Sequence, residues 1–203
     1  MFAWIYSRFI DAVLRDLRAA VFELAGMKPG SRVLDVCCGT GEQVLYFARG
    51  GIHASGVDAE PSMIAMAERH RRKAGMRTAS FQVADARHLP FPSGCFDCVT
   101  VSLALHDKER AARDVAISEM KRVLKSEGVL LFADLTVPLP RNYYGVLIRV
   151  VEFFAGWDHF RCSRDYLGQG GLSALFERNG LREDSRRCIK HGTMAVVTAA
   201  GPR

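Results

Sequence analysis

The chain predicts an α/β domain whose parallel, doubly wound sheet carries helices on both faces. Three observations carry that expectation. Between residues 32 and 135, short apolar runs alternate with amphipathic stretches of helical period, a βαβαβ rhythm. The apolar runs are nearly continuous, as strands buried on both faces need to be. The first of them, residues 33–36, leads directly into the glycine loop Cys37-Cys-Gly-Thr-Gly41, with a helical pattern behind it.

Taken in order, residues 2–24 place Phe2, Ile5, Phe9, Ile10, Val13, Leu14, Leu17, Val21 and Phe22 mostly at spacings of three and four. That is an amphipathic helix with room for one break. Arg8, Asp11, Arg15, Asp16 and Arg18 interrupt it too often for a bilayer span, and Lys28-Pro-Gly30 stops it. Residues 32–37 then read as a buried strand and 42–49 as the helix behind it. A second strand over 54–57 precedes a helix over 62–74 that turns Met63, Ile64, Met66 and Ala67 inward. Strands three, four and five fall at 81–84, 97–102 and 128–135, with a helix over about 108–125 before the fifth. Residues 142–156 are apolar but hold Arg149 and Glu152 and are too short to cross a membrane. A helix over 173–179 and strands near 181–185 and 194–199 finish the chain, and the His191-Gly192 return sets the last strand antiparallel.

Bulk composition narrows the function classes. Apolar residues make up 49% and charged residues 25%, the balance of an ordinary globular domain. The net charge of +6 comes from scattered basic residues, not from a block, so no nucleic-acid partner is expected. Six cysteines, at 37, 38, 95, 98, 162 and 188, follow a start that lacks the pattern of a secretory signal. Free thiols and a cytoplasmic location are the expectation. Cys95-Phe-Asp-Cys98 has the spacing of half a zinc site, but no second pair completes it, so no metal is expected.

The glycine loop is selective. A dinucleotide fingerprint places a third glycine where Val44 stands, and a triphosphate loop places Lys and Ser/Thr where Glu42 and Gln43 stand. An acidic residue beside a polyphosphate is repelled. The next two strands also end in carboxylates, Gly56-Val-Asp58 and Ala84-Asp-Ala86. Asp58 suits paired ribose hydroxyls and Asp85 an exocyclic adenine amine. With Asp35, three acidic strand ends favour a cationic, adenosine-bearing ligand. S-adenosyl-L-methionine, with its sulfonium and ammonium, has that charge.

Four stretches then carry a family resemblance, in order: VLDVCCGTGEQVLYFA, GVDAEPSMIAMAERH, FQVADARHLPFPSGCFDCV and EMKRVLKSEGVLLFADL. Over residues 33–135 the chain resembles the class I S-adenosylmethionine-dependent methyltransferases, in the group of the ubiquinone/menaquinone-biosynthesis C-methyltransferases. The resemblance implies a Rossmann-like seven-stranded sheet of order 3-2-1-4-5-7-6, strand 7 antiparallel, with S-adenosylmethionine as cofactor and S-adenosylhomocysteine as product. It divides residues 1–203 into a helical cap (1–26), a cofactor-binding core (27–137), a helical insertion forming part of the acceptor site (138–172) and a final helix and strands (173–203). It implies that Asp35 braces the loop and accepts from the methionine amine, that Gly39 and Gly41 admit the amino-acid end, and that Cys37 belongs to the same loop. Asp58 would hold the ribose, Ala59 and Met63 would pack near the adenine, and Asp85 and Ala86 would meet its edge. Ser102 and Leu103 would lie beneath the sulfonium.

His106 is the candidate general base, at the exit of the fourth strand, with Asp107 adjacent in sequence only; a helix-capping or pocket-lining histidine is the plainer reading. His159 competes with it. Aromatic side chains dominate both segments expected to wall the acceptor, with Tyr6 and Phe9 in the first helix and Trp157 and Phe160 in the insertion. They suggest a small apolar or aromatic acceptor, quinone-like or another metabolite. Arg149, Arg161 and Arg164 could hold a carboxylate or lipid phosphate. Two departures bear on a quinone acceptor: Asp165-Tyr-Leu-Gly-Gln stands where the quinone enzymes carry Tyr-Leu-x-x-Ser-Ile, and Glu42-Gln43 lacks their Asp. Lipid-headgroup N-methylation, with the first helix and basic surface in peripheral contact with a membrane, is one alternative. A protein that binds the cofactor without transferring its methyl group is another.

Overall fold

The computed structural model describes the backbone of residues 2–154 and 156–200 and the side chains of residues 14–150 and 156–200. Its elements run α1 (Phe2–Ala25), β1 (Arg32–Val36), α2 (Glu42–Arg49), β2 (His53–Asp58), α3 (Pro61–Ala74), β3 (Ala79–Val83), β4 (Phe96–Ser102), α4 (Arg110–Val123), β5 (Leu124–Leu135), α5 (Tyr143–Phe154), α6 (Trp157–Gln169), α7 (Gly171–Arg178), β6 (Arg182–Ile189) and β7 (Met194–Ala200). All seven strands form one sheet of order β3-β2-β1-β4-β5-β7-β6. β1 to β5 pair in parallel, and β7 runs antiparallel to both β5 and β6. The expected topology is the observed one.

Burial on two faces explains the apolar strands. On one face Leu34, Val36, Val99, Val101, Leu130 and Phe132 pack with Ile117 and Met120 of α4 and Leu175 and Phe176 of α7. On the other, Val33, Cys98, Leu131, Ala133 and Val196 pack with Leu17 and Val21 of α1 and Val44 and Phe47 of α2. Each Val, Leu, Ile, Phe or Met among them contributes roughly 1.5–3 kcal/mol when fully withdrawn from water.

Several elements differ from the sequence reading. The first helix is unbroken. β5 begins at Leu124, not near Gly128: Leu124 pairs with Phe96, and a register shift between Phe96 and Cys98 absorbs the polar residues that follow. α6 is a full helix that the sequence reading left unassigned within the insertion, because only Cys162, Ser163 and Tyr166 are buried on it. In α3 the buried side chains are Ile64 and Ala67 alone; Met63 faces outward, 37% exposed.

Two chain reversals shape the carboxyl edge of the sheet, where the strand order turns back between β1 and β4. Cys37 (φ 58°) and Leu103 (φ 51°) follow β1 and β4 directly, and both adopt the left-handed region that costs a non-glycine residue about 1–3 kcal/mol. Gly41, at φ 80°, opens α2; a Cβ there would stand 2.5 Å from the Phe81 ring and 2.8 Å from Ala67. Only glycine satisfies both constraints.

Candidate active site

Those reversals open onto a cavity of about 560 Å³ at the carboxyl edge. One rim is polar, with Cys37 from the loop, Asp58 and Ala59 after β2, and Asp85 and Ala86 after β3. Opposite, Val101 and Leu105 from β4 and its exit and Ala112, Ala116 and Met120 from α4 supply aliphatic surface, with the charged Asp107, Lys108 and Glu109 lining the cavity between those two segments of the chain. α6 closes one end with Asp158, Arg161 and Cys162.

The rim is pre-set by backbone donors. Gly39 N donates to Asp58 Oδ2 at 2.9 Å and Glu60 N to Oδ1 at 3.0 Å, which ties the loop to the tip of β2. A carboxylate offers about four acceptor sites, so Asp58 retains capacity at the cavity wall. Asp85 receives the Arg87 guanidinium at 2.6–3.1 Å and the Arg87 backbone N–H at 2.9 Å. The Arg87 side chain, and then its backbone N–H, hold the Asp85 carboxyl below its ordinary range, so it is charged at neutral pH. Burial pushes the Cys37 thiol up to about 12 and keeps it neutral. Burial also pushes the Lys108 ammonium down, but the Asp107 carboxylate, 2.8 Å from Nζ, more than reverses this.

Asp35 behaves differently from the other two acidic strand ends. It is 3% exposed, off the cavity wall, and accepts from Thr100 Oγ1 at 2.7 Å across the β1–β4 pair. Burial pushes its carboxyl up to about 7, against the pull of the Thr100 hydrogen bond and with some help from the charge of Asp58. Gly39 and Gly41 form the bend beside the cavity. Ser102 and Leu103 sit half-buried at the β4 exit, and Ser102 Oγ is buried without a hydrogen-bond partner among the described residues. Met63 is exposed and off the wall.

The acceptor candidates separate. The side chains of Tyr6 and Phe9 lie outside the described residues. Trp157 is 76% exposed and meets Phe160 at 6.1 Å between ring centroids; neither is on the cavity wall. The three insertion arginines do not converge. Arg149 donates to the Leu139 and Pro140 carbonyls, Arg161 pairs with Glu109 and Asp158, and Arg164 lies over the Phe160 ring.

His106 and His159 do come together, with ring centroids 5.5 Å apart and nearly perpendicular. His106 is 5% exposed and, unlike its chain neighbours Leu105 and Asp107, is not on the cavity wall; nor is His159. Its Nδ1 lies 2.6 Å from Oδ1 of Asp134 near the end of β5, and Asp107 pairs with Lys108. The backbone N–H of Leu135 donates to Asp134 Oδ1, and those of Leu105 and His106 donate to Oδ2. Tyr166 packs 6.4 Å from His106 and beneath the guanidinium of Arg113. Arg113, 1% exposed, donates to the carbonyls of Leu105 and Cys162 and to Asp165, which fastens α6 to the β4 exit. Sequence reasoning missed Asp134, Arg113 and Tyr166. The one signal for Asp134 was a lone carboxylate inside the apolar run at 129–135.

Comparison with known proteins agrees with this geometry. The methyltransferase-domain family matches residues 33–128. Over 180 residues the chain is 37% identical to an uncharacterized methyltransferase of Synechocystis sp., covering 87% of this chain and 79% of that protein. Over 195 residues it is 30% identical to a demethylmenaquinone methyltransferase of Beutenbergia cavernae, covering 90% of this chain and 78% of that protein. The crystal structure of a SAM-dependent methyltransferase from Aquifex aeolicus superposes with a TM-score of 0.67 at 17% identity, covering 90% of this chain and 88% of the other. At that identity the likeness speaks to the fold alone.

Proposed function

We propose that this chain, which belongs to the class I S-adenosylmethionine-dependent methyltransferases, methylates a small apolar or aromatic acceptor. The observation that carries the reading is the two-sided cavity, with carboxylates at one rim and aliphatic side chains opposite. Its cofactor is S-adenosylmethionine, and the residues present fit that group. Asp58 supplies negative charge to a cationic ligand, Asp85 stands beside it as an ion pair with Arg87, Cys37 is neutral, and Ser102 Oγ at the β4 exit is buried without a hydrogen-bond partner among the described residues. When bound, S-adenosylmethionine supplies a methyl group on a positively charged sulfur and leaves as S-adenosylhomocysteine.

The protein's own part is to bind, align and exclude water. Asp58 accepts from the ribose hydroxyls, and Asp85 and Ala86 meet the adenine edge. Gly39 and Gly41 bring backbone close to the amino-acid end, and Asp35, through Thr100, ties β1 to β4 behind the loop. Alignment of this kind removes on the order of 7–11 kcal/mol from a barrier. His106 serves as the base where the acceptor has a proton to lose, a contribution of about 10²- to 10⁴-fold. The names of relatives in quinone biosynthesis make a quinol-like acceptor the first to try, with S-adenosylhomocysteine release as the assay. Failure across quinols, phenols and lipid headgroups, with the cofactor bound, would leave a non-catalytic binding protein.

A second reading, contact with a bilayer holding an apolar acceptor, is favoured by α5. Tyr143, Val146 and Val150 are exposed at helical spacing, with Arg141 and Arg149 exposed beside them. Among the described residues no helix is long and apolar enough to cross a membrane. Sedimentation with anionic vesicles tests this reading.

A further inference from the structure

We infer that the amino edge of the sheet, across the starts of β1, β2 and β3, holds a binding site for one phosphoryl group, presented as a phosphate monoester. The site is separate from the cofactor cavity and independent of the methyltransferase reading.

The strands carry polar side chains there, where strands buried on both faces would not. Arg32 pairs with His53 across β1 and β2, Leu34 with Ser55, and Ser55 in turn with Ser80 of β3. Alternation puts Arg32, His53, Ser55 and Ser80 on the same face as Leu34, the face that packs with Ile117 and Met120 of α4. The helical cover ends before it reaches them. α4 packs on β4 and β5, and residues 84–95 join β3 to β4 without a helix. The starts of β2 and β3 are left open on that side, around a cavity of about 480 Å³.

An open face needs only to be wetted, and side chains of either charge would serve. This cavity is lined by Arg32, His53 and Arg77 with the hydroxyls of Ser55, Thr78 and Ser80, and by no described carboxylate. Elsewhere on the surface guanidiniums meet carboxylates, as Arg71 does with Glu68, Arg122 with Glu119 and Arg186 with Glu183. Among the described residues the Arg77 guanidinium and the His53 ring have no hydrogen bond or ion pair. The Arg32 guanidinium lies over the Phe96 ring, 5.5 Å from its centroid. Asp97, within range of that charge, accepts from the Arg32 backbone N–H at 2.8 Å and from Lys125 Nζ at 2.6 Å, and is not on the cavity wall. Ser55 Oγ and Ser80 Oγ stand 3.0 Å apart; one O–H closes that contact and the other remains to donate.

This donor set fixes the class of ligand. Each guanidinium presents a planar fork of N–H donors, and the imidazole donates in either protonation state. A phosphoryl group offers three strong acceptor oxygens and close to two negative charges, enough for both forks and a hydroxyl. A carboxylate, with two oxygens and one charge, would leave one guanidinium unmatched. The cavity is larger than one phosphoryl group, which leaves room for the alcohol that carries it. His53 opens β2 and Asp58 closes it, roughly 16 Å apart at about 3.3 Å per residue, so the ligand does not reach the cofactor cavity.

The experiment is ¹H–¹⁵N NMR of the full chain at constant ionic strength, titrated with inorganic phosphate and then glycerol phosphate, with sodium chloride as the control. Saturable shifts are expected around Arg32, His53 and residues 77–80, and Arg32→Gln and Arg77→Gln should each weaken binding about 10-fold. Both side chains are exposed, and unchanged thermal unfolding of the variants shows that the fold is kept. Shifts that fail to saturate, that sodium chloride reproduces, or that survive both substitutions overturn the site. So does an RNA oligomer that binds there where inorganic phosphate does not, because its affinity then comes from a run of phosphates. Vesicles of phosphatidic acid separate the sources. Sedimentation that glycerol phosphate reverses supports a lipid headgroup, and glycerol phosphate binding without sedimentation supports a soluble ester. Failure to bind S-adenosylhomocysteine would strike the methyltransferase reading and leave every one of these readouts in place.

Discussion

Replacing Asp35 by Asn removes an ionisable group from a place where ionisation is costly. The carboxyl is buried, accepts one hydrogen bond from the Thr100 hydroxyl, and has its pKa pushed up to about 7 from an ordinary 3.8, mainly by burial. The sign follows from proton linkage. Between pH 4 and 7 the folded protein holds this proton more tightly than the unfolded chain, so the contribution of Asp35 to stability is best below pH 4 and declines as pH rises. The interval from 3.8 to about 7 corresponds to a loss on the order of 4 kcal/mol, nearly all of it incurred by pH 7. Asn keeps a carbonyl that can accept from Thr100 and cannot ionise. Asp35→Asn should therefore match the wild type near pH 4 and exceed it by a few kcal/mol at pH 8. The assay is urea unfolding followed by circular dichroism at unit steps from pH 4 to pH 8, taken as the difference between variant and wild type. Other titrating groups are common to both chains and largely cancel in that difference. Parallel stability curves across the whole range would refute the assignment of a raised, burial-dominated Asp35.

Two further outcomes are expected. Gly41→Ala forces a Cβ against the Phe81 ring at a backbone φ of 80°, and should cost about 1–3 kcal/mol in urea unfolding together with a clear loss of S-adenosylhomocysteine affinity; unchanged affinity would detach the loop from the cofactor. If α5 contacts lipid, anionic vesicles should sediment the protein in low salt, and a Tyr143→Ser, Val150→Ser double variant should stay in the supernatant; equal partition of the two would remove the second reading.

The fold was legible wherever burial acts on both faces of a strand. In β1, β4 and the second half of β5 apolar residues outnumber the polar ones, which stand singly among them, and α2 and α3 follow their strands after short turns. The start of β5 was not legible, because Lys125, Ser126 and Glu127 read as a turn yet belong to the strand through an irregular pairing beside Phe96. α6 was hidden because its buried stripe is three residues of mixed polarity. That Asp58 and Asp85 share one cavity was readable, since each stands at a strand end that topology alone places in one crevice. Met63 was misread inward because four apolar residues crowd one turn of α3 and only Ile64 and Ala67 point to the sheet. The His106 pairing was out of reach: Asp134 lies 28 residues away, and only the neighbouring positions of β4 and β5 bring the two side chains together.

The most direct measurement is a calorimetric titration of the wild type and Asp58→Ala with S-adenosylhomocysteine, with NADH as the contrasting ligand. Saturable one-to-one binding of S-adenosylhomocysteine, weakened about 10- to 100-fold by Asp58→Ala, with no heat from NADH, is the predicted result. Tight binding of NADH with none of S-adenosylhomocysteine or S-adenosylmethionine would contradict the account.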